Sequence, residues 1–168
     1  VSPYFVPGEE GTASLAALAG SGVKIRILTN SLSASDEKSV HAGYAKRREA
    51  LLRAGVRLYE LKPTAAPKMP KDHSGIGRSS SAGLHAKTFA VDRSRIFVGS
   101  FNFDPRSARL NTEIGLVIDS PALAQQLAGF FDVSVSTIAW EVRLAPGGEA
   151  LEWIERTPSG EIRYDTDP

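Results

Sequence analysis

The sequence predicts an α/β domain, and three observations carry that assignment. Helical and strand-like apolar patterns alternate along the first sixty residues; glycines punctuate the ends of the helical stretches; and short β-rich runs follow one another around polar turns in the second half. Tyr4 to Val6 reads as a first strand. Leu15, Ala16, Leu18 and Ala19 make a helix that stops before Gly20 and Gly22, and Val23 to Leu28 alternates Val, Ile and Ile with Lys24 and Arg26 as the next strand. Asp36 can cap a single helix running to about Ala54, ended by Gly55, and Val56 to Leu61 is a strand again. The series is βαβαβ. Lys62 to Gly83, rich in Pro, Ser, Gly and Lys and without periodicity, is expected to be a mobile loop beside the functional site.

Leu84 to Val91 then suits a buried strand, Asp92-Arg93-Ser94 a polar turn, Arg95 to Val98 a second strand, and Ile114 to Ile118 a third. After Pro121, Leu123 to Phe131 is helical. Trp140 to Leu144 and Ala150 to Ile154 form a hairpin about Pro146-Gly147-Gly148, and Arg156 to Pro168 is expected to be a frayed tail, leaving residues 1–155 as the folded unit.

Composition bounds the function. A chain of 168 residues with 42% hydrophobic content buries roughly 70% of its unfolded surface, enough for a core of its own. Twenty basic against nineteen acidic residues leave a net charge of +1, so no overall field drives the chain to nucleic acid or anionic lipid. Cysteine is absent, which excludes thiolate catalysis, disulfides and cysteine-ligated zinc. The longest apolar run is far shorter than a membrane span, and no signal peptide is visible, so this segment is expected to be soluble.

The chemistry concentrates in LHAKTFAVDRSRIFVGSFNFDPRSARLNTE, which runs on from Leu84. His85 and Lys87, one residue apart, leave the same face of a strand, so an imidazole stands beside an ammonium. Across the hairpin, Gly99 permits close backbone approach while Ser100 and Asn102 alternate onto one face; Glu113, at the head of the third strand, can reach back to the imidazole. A neutral histidine can attack phosphorus, lysine, serine and asparagine can donate to phosphoryl oxygens, and a carboxylate can fix the histidine tautomer. No metal or cofactor is required.

The pattern H-x-K-x4-D from His85 to Asp92, followed by G-S-x-N from Gly99 to Asn102, resembles the signature of the phospholipase D superfamily. Six specified residues at fixed offsets arise by chance on the order of once in ten million starting points, so the match is specific. The flanking SPYFVPG, HAGYAKRREALLRAGV and FNFDPRSARLNTEIGLVIDSPALA resemble the bacterial cardiolipin synthase branch, over most of residues 2 to 145. The resemblance implies a mixed β-sheet flanked by helices in an α-β-α sandwich. It implies a phosphatidyl transferase that makes cardiolipin through a phosphohistidine, with phosphatidylglycerol or a similar phospholipid as substrate, and a bacterial protein in the cytoplasm or peripheral at the inner membrane. By the same resemblance His85 is a catalytic histidine, Lys87 holds the phosphate, Asn102 and Ser100 line it, Glu113 orients His85, and Asp92, Gly99 and Arg106 support the local fold.

Such a site takes two copies of the motif, and this chain contains one: neither His41-Ala42-Gly43 nor His73-Ser74-Gly75 begins a second. The second half lies either in the same longer chain or in an identical partner. Val1 at the start, with Tyr4 to Gly8 running as a strand straight into a loop, leads to the expectation of a C-terminal half whose His85 is the general acid and later the base. His41, Tyr44 and Arg48, three and four residues apart on one helical face, with Asn30 and Ser39 nearby, are a second candidate that would grip the lipid head group; the alternative is that Tyr44 is a core edge and His41 a satisfied histidine. Two rivals to the transferase remain. One is a nuclease of the same superfamily, against which the neutral charge argues; the other is a non-catalytic half serving as a lipid-binding or dimerisation module.

Overall fold

The computed structural model describes residues 1–63 and 84–168, so the loop expected from Lys62 to Gly83 falls almost wholly outside the described residues. Helix α1, Gly8–Gly20, ends in a left-handed Gly22 (φ 94), with the Gly22 N–H on Ala19 and the Val23 N–H on Leu18. These two bonds consume Val23, so strand β1 is Arg26–Asn30 and begins later than the alternation alone suggests.

The helix expected from Asp36 to Ala54 is two helices, α2 (Lys38–Ala45) and α3 (Arg48–Arg53). Its cap is Glu37, whose carboxylate accepts from the Ser39 N–H, because Asp36 instead accepts from the Tyr4 hydroxyl at 2.8 Å. Gly55 (φ 91) closes α3 with the same two-bond motif as Gly22, and β2, Arg57–Leu61, follows in parallel register with β1, Ile27 beside Leu58.

Beyond the undescribed residues, β3 (Thr88–Val91) and β4 (Arg95–Gly99) form a hairpin about Asp92 and Arg93, both left-handed at φ 50 and 52. The short helix α4, Pro105–Arg109, is capped by Asp104, and β5, Gly115–Asp119, returns antiparallel to β4. Helix α5, Pro121–Gly129, capped by Ser120, runs through a π-helical turn, Phe130–Ser134, into α6, Val135–Ile138. Strands β6 (Ala139–Leu144) and β7 (Leu151–Thr157) make the anticipated hairpin. The residues after Arg156 are not a frayed tail: β7 extends to Thr157 and Gly160–Tyr164 forms β8, held to it by a ladder from Trp153 to Thr157.

The strands make two sheets, a mixed five-stranded one in the order β1-β2-β6-β7-β8 and an antiparallel three-stranded one, β3-β4-β5. Alternation sorts the core. Ile27, Leu58, Val142 and Trp153 lie in one row across the larger sheet and pack with Phe5, Tyr44 and Leu51, while Leu28, Tyr59, Leu61 and Ala139 turn to the other side against Phe131 and Val135. Helices therefore cover both faces of the mixed sheet, as the α-β-α expectation requires. Among the described residues, no helix is long and apolar enough to cross a membrane.

Candidate active site

The motif residues gather where the small sheet meets the end of β1. His85 and Lys87 lie in the extended lead-in to β3 rather than inside it, because β4 ends at Gly99. The Gly99 N–H donates to the Lys87 carbonyl at 3.2 Å, and nothing further along β4 is left to pair with Leu84. Asn30, buried at the end of β1, takes that role, its Oδ1 accepting the Leu84 N–H at 2.8 Å. His85 is thereby delivered from a fixed point. Its ring is exposed and makes no hydrogen bond among the described residues, while Lys87 Nζ donates to the His85 carbonyl at 3.1 Å.

Ser100 and Glu113 form the tightest contact of the site, Ser100 Oγ donating to Glu113 Oε2 at 2.5 Å and accepting the Ile114 N–H at 3.0 Å. Asn111 donates to the other carboxylate oxygen at 3.3 Å. Ser100 foremost, then Ser107 and Asn111, hold the Glu113 carboxyl below its ordinary value, with the Lys87 charge adding to the effect. The expected Glu113–His85 contact is not formed: the carboxylate is engaged by Ser100 and Asn111 instead. Gly99 and Gly115 flank the Phe97 ring, and a Cβ on Gly99 would meet the Ile114 carbonyl as well, so β4 and β5 approach closely only because both positions are glycine.

Asn102 sits on the loop after β4, its Oδ1 buried without a hydrogen-bond partner among the described residues. The loop is pinned beside it by a Phe5–Phe103 bridge, by the Phe103 N–H on Ser2 Oγ at 3.0 Å and by the Phe5 and Phe103 rings at 5.4 Å. Asp92 occupies the strained turn of the β3–β4 hairpin, a position that aspartate tolerates better than most side chains. Arg106 lies in α4, where its backbone N–H caps onto Asp104 at 2.8 Å and its carbonyl accepts from Leu110 and Asn111.

His41, Tyr44 and Arg48 are turned inward. All three are buried, Arg48 at 3% exposure; His41 and Arg48 bond within the fold, while the Tyr44 hydroxyl is buried without a hydrogen-bond partner among the described residues. Arg48 Nη2 lies 2.6 Å from His41 Nε2, Nη1 lies 2.7 Å from an Asp167 carboxylate oxygen, and Nε lies 2.9 Å from Glu60 Oε1, an ion pair bent away from hydrogen-bond geometry. Since arginine has only donors, His41 Nε2 accepts and the ring is neutral; burial first and the Arg48 charge second lower its pKa. The head-group role read for these three side chains thus finds no support in their placement. Sequence reasoning missed Glu60, Trp153, whose Nε1 donates to Glu60 at 2.9 Å, and Asp167. The signal for Glu60 was present: in Arg-Leu-Tyr-Glu-Leu it shares the inward face of Leu58. His41, Glu60 and Asp167 have ligand atoms spaced for a cation, but the Arg48 guanidinium already lies among them.

Comparison with known proteins bears on this arrangement. The family described as cardiolipin synthase, PLD-like domain, matches residues 1–134. The whole chain is 49% identical to cardiolipin synthase C of Escherichia coli (strain K12), covering 35% of that protein. Over 131 residues it is 31% identical to cardiolipin synthase A of Pseudomonas aeruginosa (strain LESB58), covering 78% of the chain and 23% of the relative. The chain thus spans about a third or less of the length of these relatives. The crystal structure of Nuc from Salmonella typhimurium, a phospholipase D family member, superposes with a TM-score of 0.58 at 19% identity, over 83% of this chain and 78% of that one, a likeness of fold.

Proposed function

The chain belongs to the cardiolipin synthase, phospholipase D-like domain family, and on that premise we propose that it supplies one half of a two-histidine site that moves a phosphatidyl group from one alcohol to another. The observation that carries the proposal is the convergence of Lys87, Ser100 and Glu113 at one end of the small sheet, with the Lys87 carbonyl bonded to the Gly99 N–H next to Ser100.

In this reading a histidine of the second half attacks the phosphorus of phosphatidylglycerol. The bond from phosphorus to the glycerol oxygen breaks, His85 delivers the proton to the leaving glycerol, and a phosphatidyl-histidine remains. A hydroxyl of a second phosphatidylglycerol then gives its proton to His85 and attacks the phosphorus, releasing the first histidine and forming cardiolipin. Two phosphatidylglycerols yield one cardiolipin and one glycerol. Lys87 and the Asn102 amide NH2 donate to the phosphoryl oxygens as their charge rises, and Ser100, whose one hydroxyl hydrogen is held by Glu113, joins them on turning to the substrate. The exposed His85 needs its tautomer set once substrate arrives, and Glu113, kept anionic with Ser100 as the foremost cause, is the carboxylate assigned to that purpose. The second half comes from the same longer chain or from an identical partner, and the assembled enzyme works at the inner-membrane surface.

The test is a choice of substrate. The full-length protein is incubated in parallel with detergent-dispersed phosphatidylglycerol and with DNA, and both are followed to products. Cardiolipin without DNA cleavage is the expected result. DNA cleavage without lipid turnover would move the chemistry to nucleic acid, and turnover of neither would leave a binding half.

A further inference from the structure

Tyr4 and Asp36 meet at the end of β1, beside the candidate site, without a part in the proton transfer. The Tyr4 hydroxyl donates to Asp36 Oδ1 at 2.8 Å. Residues 2–6, which carry Tyr4, run between the end of β1 and the loop of Asn102. On one side the Ser2 N–H donates to the Leu28 carbonyl at 3.0 Å and Thr29 Oγ1 to the Pro3 carbonyl at 3.2 Å. On the other the Val6 N–H donates to the Phe103 carbonyl at 2.8 Å and the Phe103 N–H to Ser2 Oγ at 3.0 Å. Phe5 turns inward, buried against Tyr44 and Phe103, so its neighbour Tyr4 turns the opposite way. Asp36 lies on the loop that leaves β1 at Asn30, the residue that holds Leu84, and it stands just before α2. Ligands of open sheets with parallel strands are met beyond the carboxyl ends of those strands, which is where the β1–α2 loop lies.

The pair has a definite chemistry. Asp36 is not spent on helix capping, since Glu37 caps α2, and among the described residues Tyr4 is its one side-chain partner. The half-buried Tyr4 phenol is pushed up to about 12, by burial first and by Asp36 second, so its proton stays in place and is committed to Asp36. What remains free is acceptor only: Asp36 Oδ2 and a lone pair of the Tyr4 oxygen. Such a pair repels phosphate oxygens and suits the hydroxyls of a polyol, whereas Lys87 and the Asn102 amide offer the donors that a phosphate needs.

We propose that Tyr4 and Asp36 seat the glycerol head group, accepting its hydroxyl hydrogens while the motif's donors hold the phosphate. The assignment rests on the phosphatidyl-transfer reading and adds the residues that tell a polyol from a simple alcohol. Because His85 serves the leaving and the entering alcohol in turn, one seat takes both: glycerol as it departs, and the head group of the second phosphatidylglycerol as it attacks.

Competition between two lipids tests it. Phosphatidylglycerol and phosphatidylmethanol, whose head group has no hydroxyl, are mixed in the same detergent micelles with the full-length protein, and the glycerol and methanol released are counted. Relative to wild type, the ratio of glycerol to methanol is expected to fall about tenfold in Asp36→Ala and about threefold in Tyr4→Phe. Loss of folded protein lowers both alcohols together, so only a change in head-group selectivity moves the ratio. Direct binding of glycerol 1-phosphate and of methyl phosphate to the same protein needs no turnover and separates the two readings. Tighter binding of the glycerol ester by wild type, lost in Asp36→Ala, keeps the seat even where no lipid is converted. A release ratio unmoved in both variants would overturn the proposal, and so would equal binding of the two esters by wild type.

Discussion

Asn30 grips the backbone of Leu84 with both ends of its amide, Oδ1 accepting the N–H at 2.8 Å and Nδ2 reaching the carbonyl at 3.5 Å, so that the residue before His85 is tied to the end of β1. The larger sheet thereby positions a side chain that belongs to the smaller one. Replacing Asn30 with alanine strands a half-buried Leu84 N–H and is expected to destabilise the fold by about 1–2 kcal/mol in chemical denaturation. In the full-length protein it is expected to lower kcat more than KM. Unchanged stability and turnover would remove Asn30 from the account.

Ser100 controls Glu113. In Ser100→Ala the carboxyl loses the first of the bonds that depress it, and its pKa is expected to rise toward the ordinary glutamate value in an NMR titration. An unmoved titration would place the control with Ser107, Asn111 and Lys87.

Arg48 compensates two buried or half-buried carboxylates at once, those of Glu60 and Asp167. Arg48→Met leaves Glu60 buried without its counter-charge, and above about pH 8 the expected loss is about 3–5 kcal/mol. Adding Glu60→Gln to that variant is expected to restore part of it. Equal stability of the single and double variants would show that the pair is not coupled.

Glu60 also predicts a pH dependence with a definite sign. Burial pushes its carboxyl up to about 7 from an ordinary 4.5, against the pull of Arg48 and the Trp153 N–H. Between those two values the folded chain holds a proton that the unfolded chain has released, so this group's contribution to stability falls as pH rises, by up to about 1.4 kcal/mol per pH unit. Wild type is therefore expected to lose stability relative to Glu60→Gln across that window. Parallel stability curves would contradict the assignment.

Gly99 belongs to the motif for steric reasons. A Cβ there meets the Phe97 ring and the backbone of Ile114 and Gly115, so Gly99→Ala is expected to cost about 1–3 kcal/mol by forcing β4 and β5 apart. A variant as stable as wild type would show that the two strands can yield.

The parts of the fold legible in the sequence are those with a local cause. Gly22 and Gly55 end helices by adopting φ values that other residues resist, and the adjacent apolar pairs Ile27-Leu28 and Leu58-Tyr59 mark strands buried on both faces. The parts that were not legible depend on distant partners. Gly-Glu-Ile-Arg-Tyr has one aliphatic residue and reads as tail, yet it becomes β8 because β7 offers it an edge. Asp36 is a good cap by type, but Tyr4 claims it. At the site, the motif spacing placed His85, Lys87, Ser100 and Glu113 on neighbouring segments, while Glu113's engagement with Ser100 depends on how closely the two glycines let β4 and β5 approach. The helical spacing of His41, Tyr44 and Arg48 correctly put them on one face; that the face points inward follows from Glu60 on β2 and Asp167 near the C-terminal end, far away in sequence.

The central claim is that His85 moves the proton in phosphatidyl transfer, and the most direct measurement is product stoichiometry in the full-length protein with and without His85. Detergent-dispersed phosphatidylglycerol is converted while cardiolipin and free glycerol are both quantified, for wild type and His85→Ala. Equimolar cardiolipin and glycerol from wild type, with both lost by at least about a thousandfold in His85→Ala, is the predicted result. Cardiolipin formed at an undiminished rate by His85→Ala would contradict it.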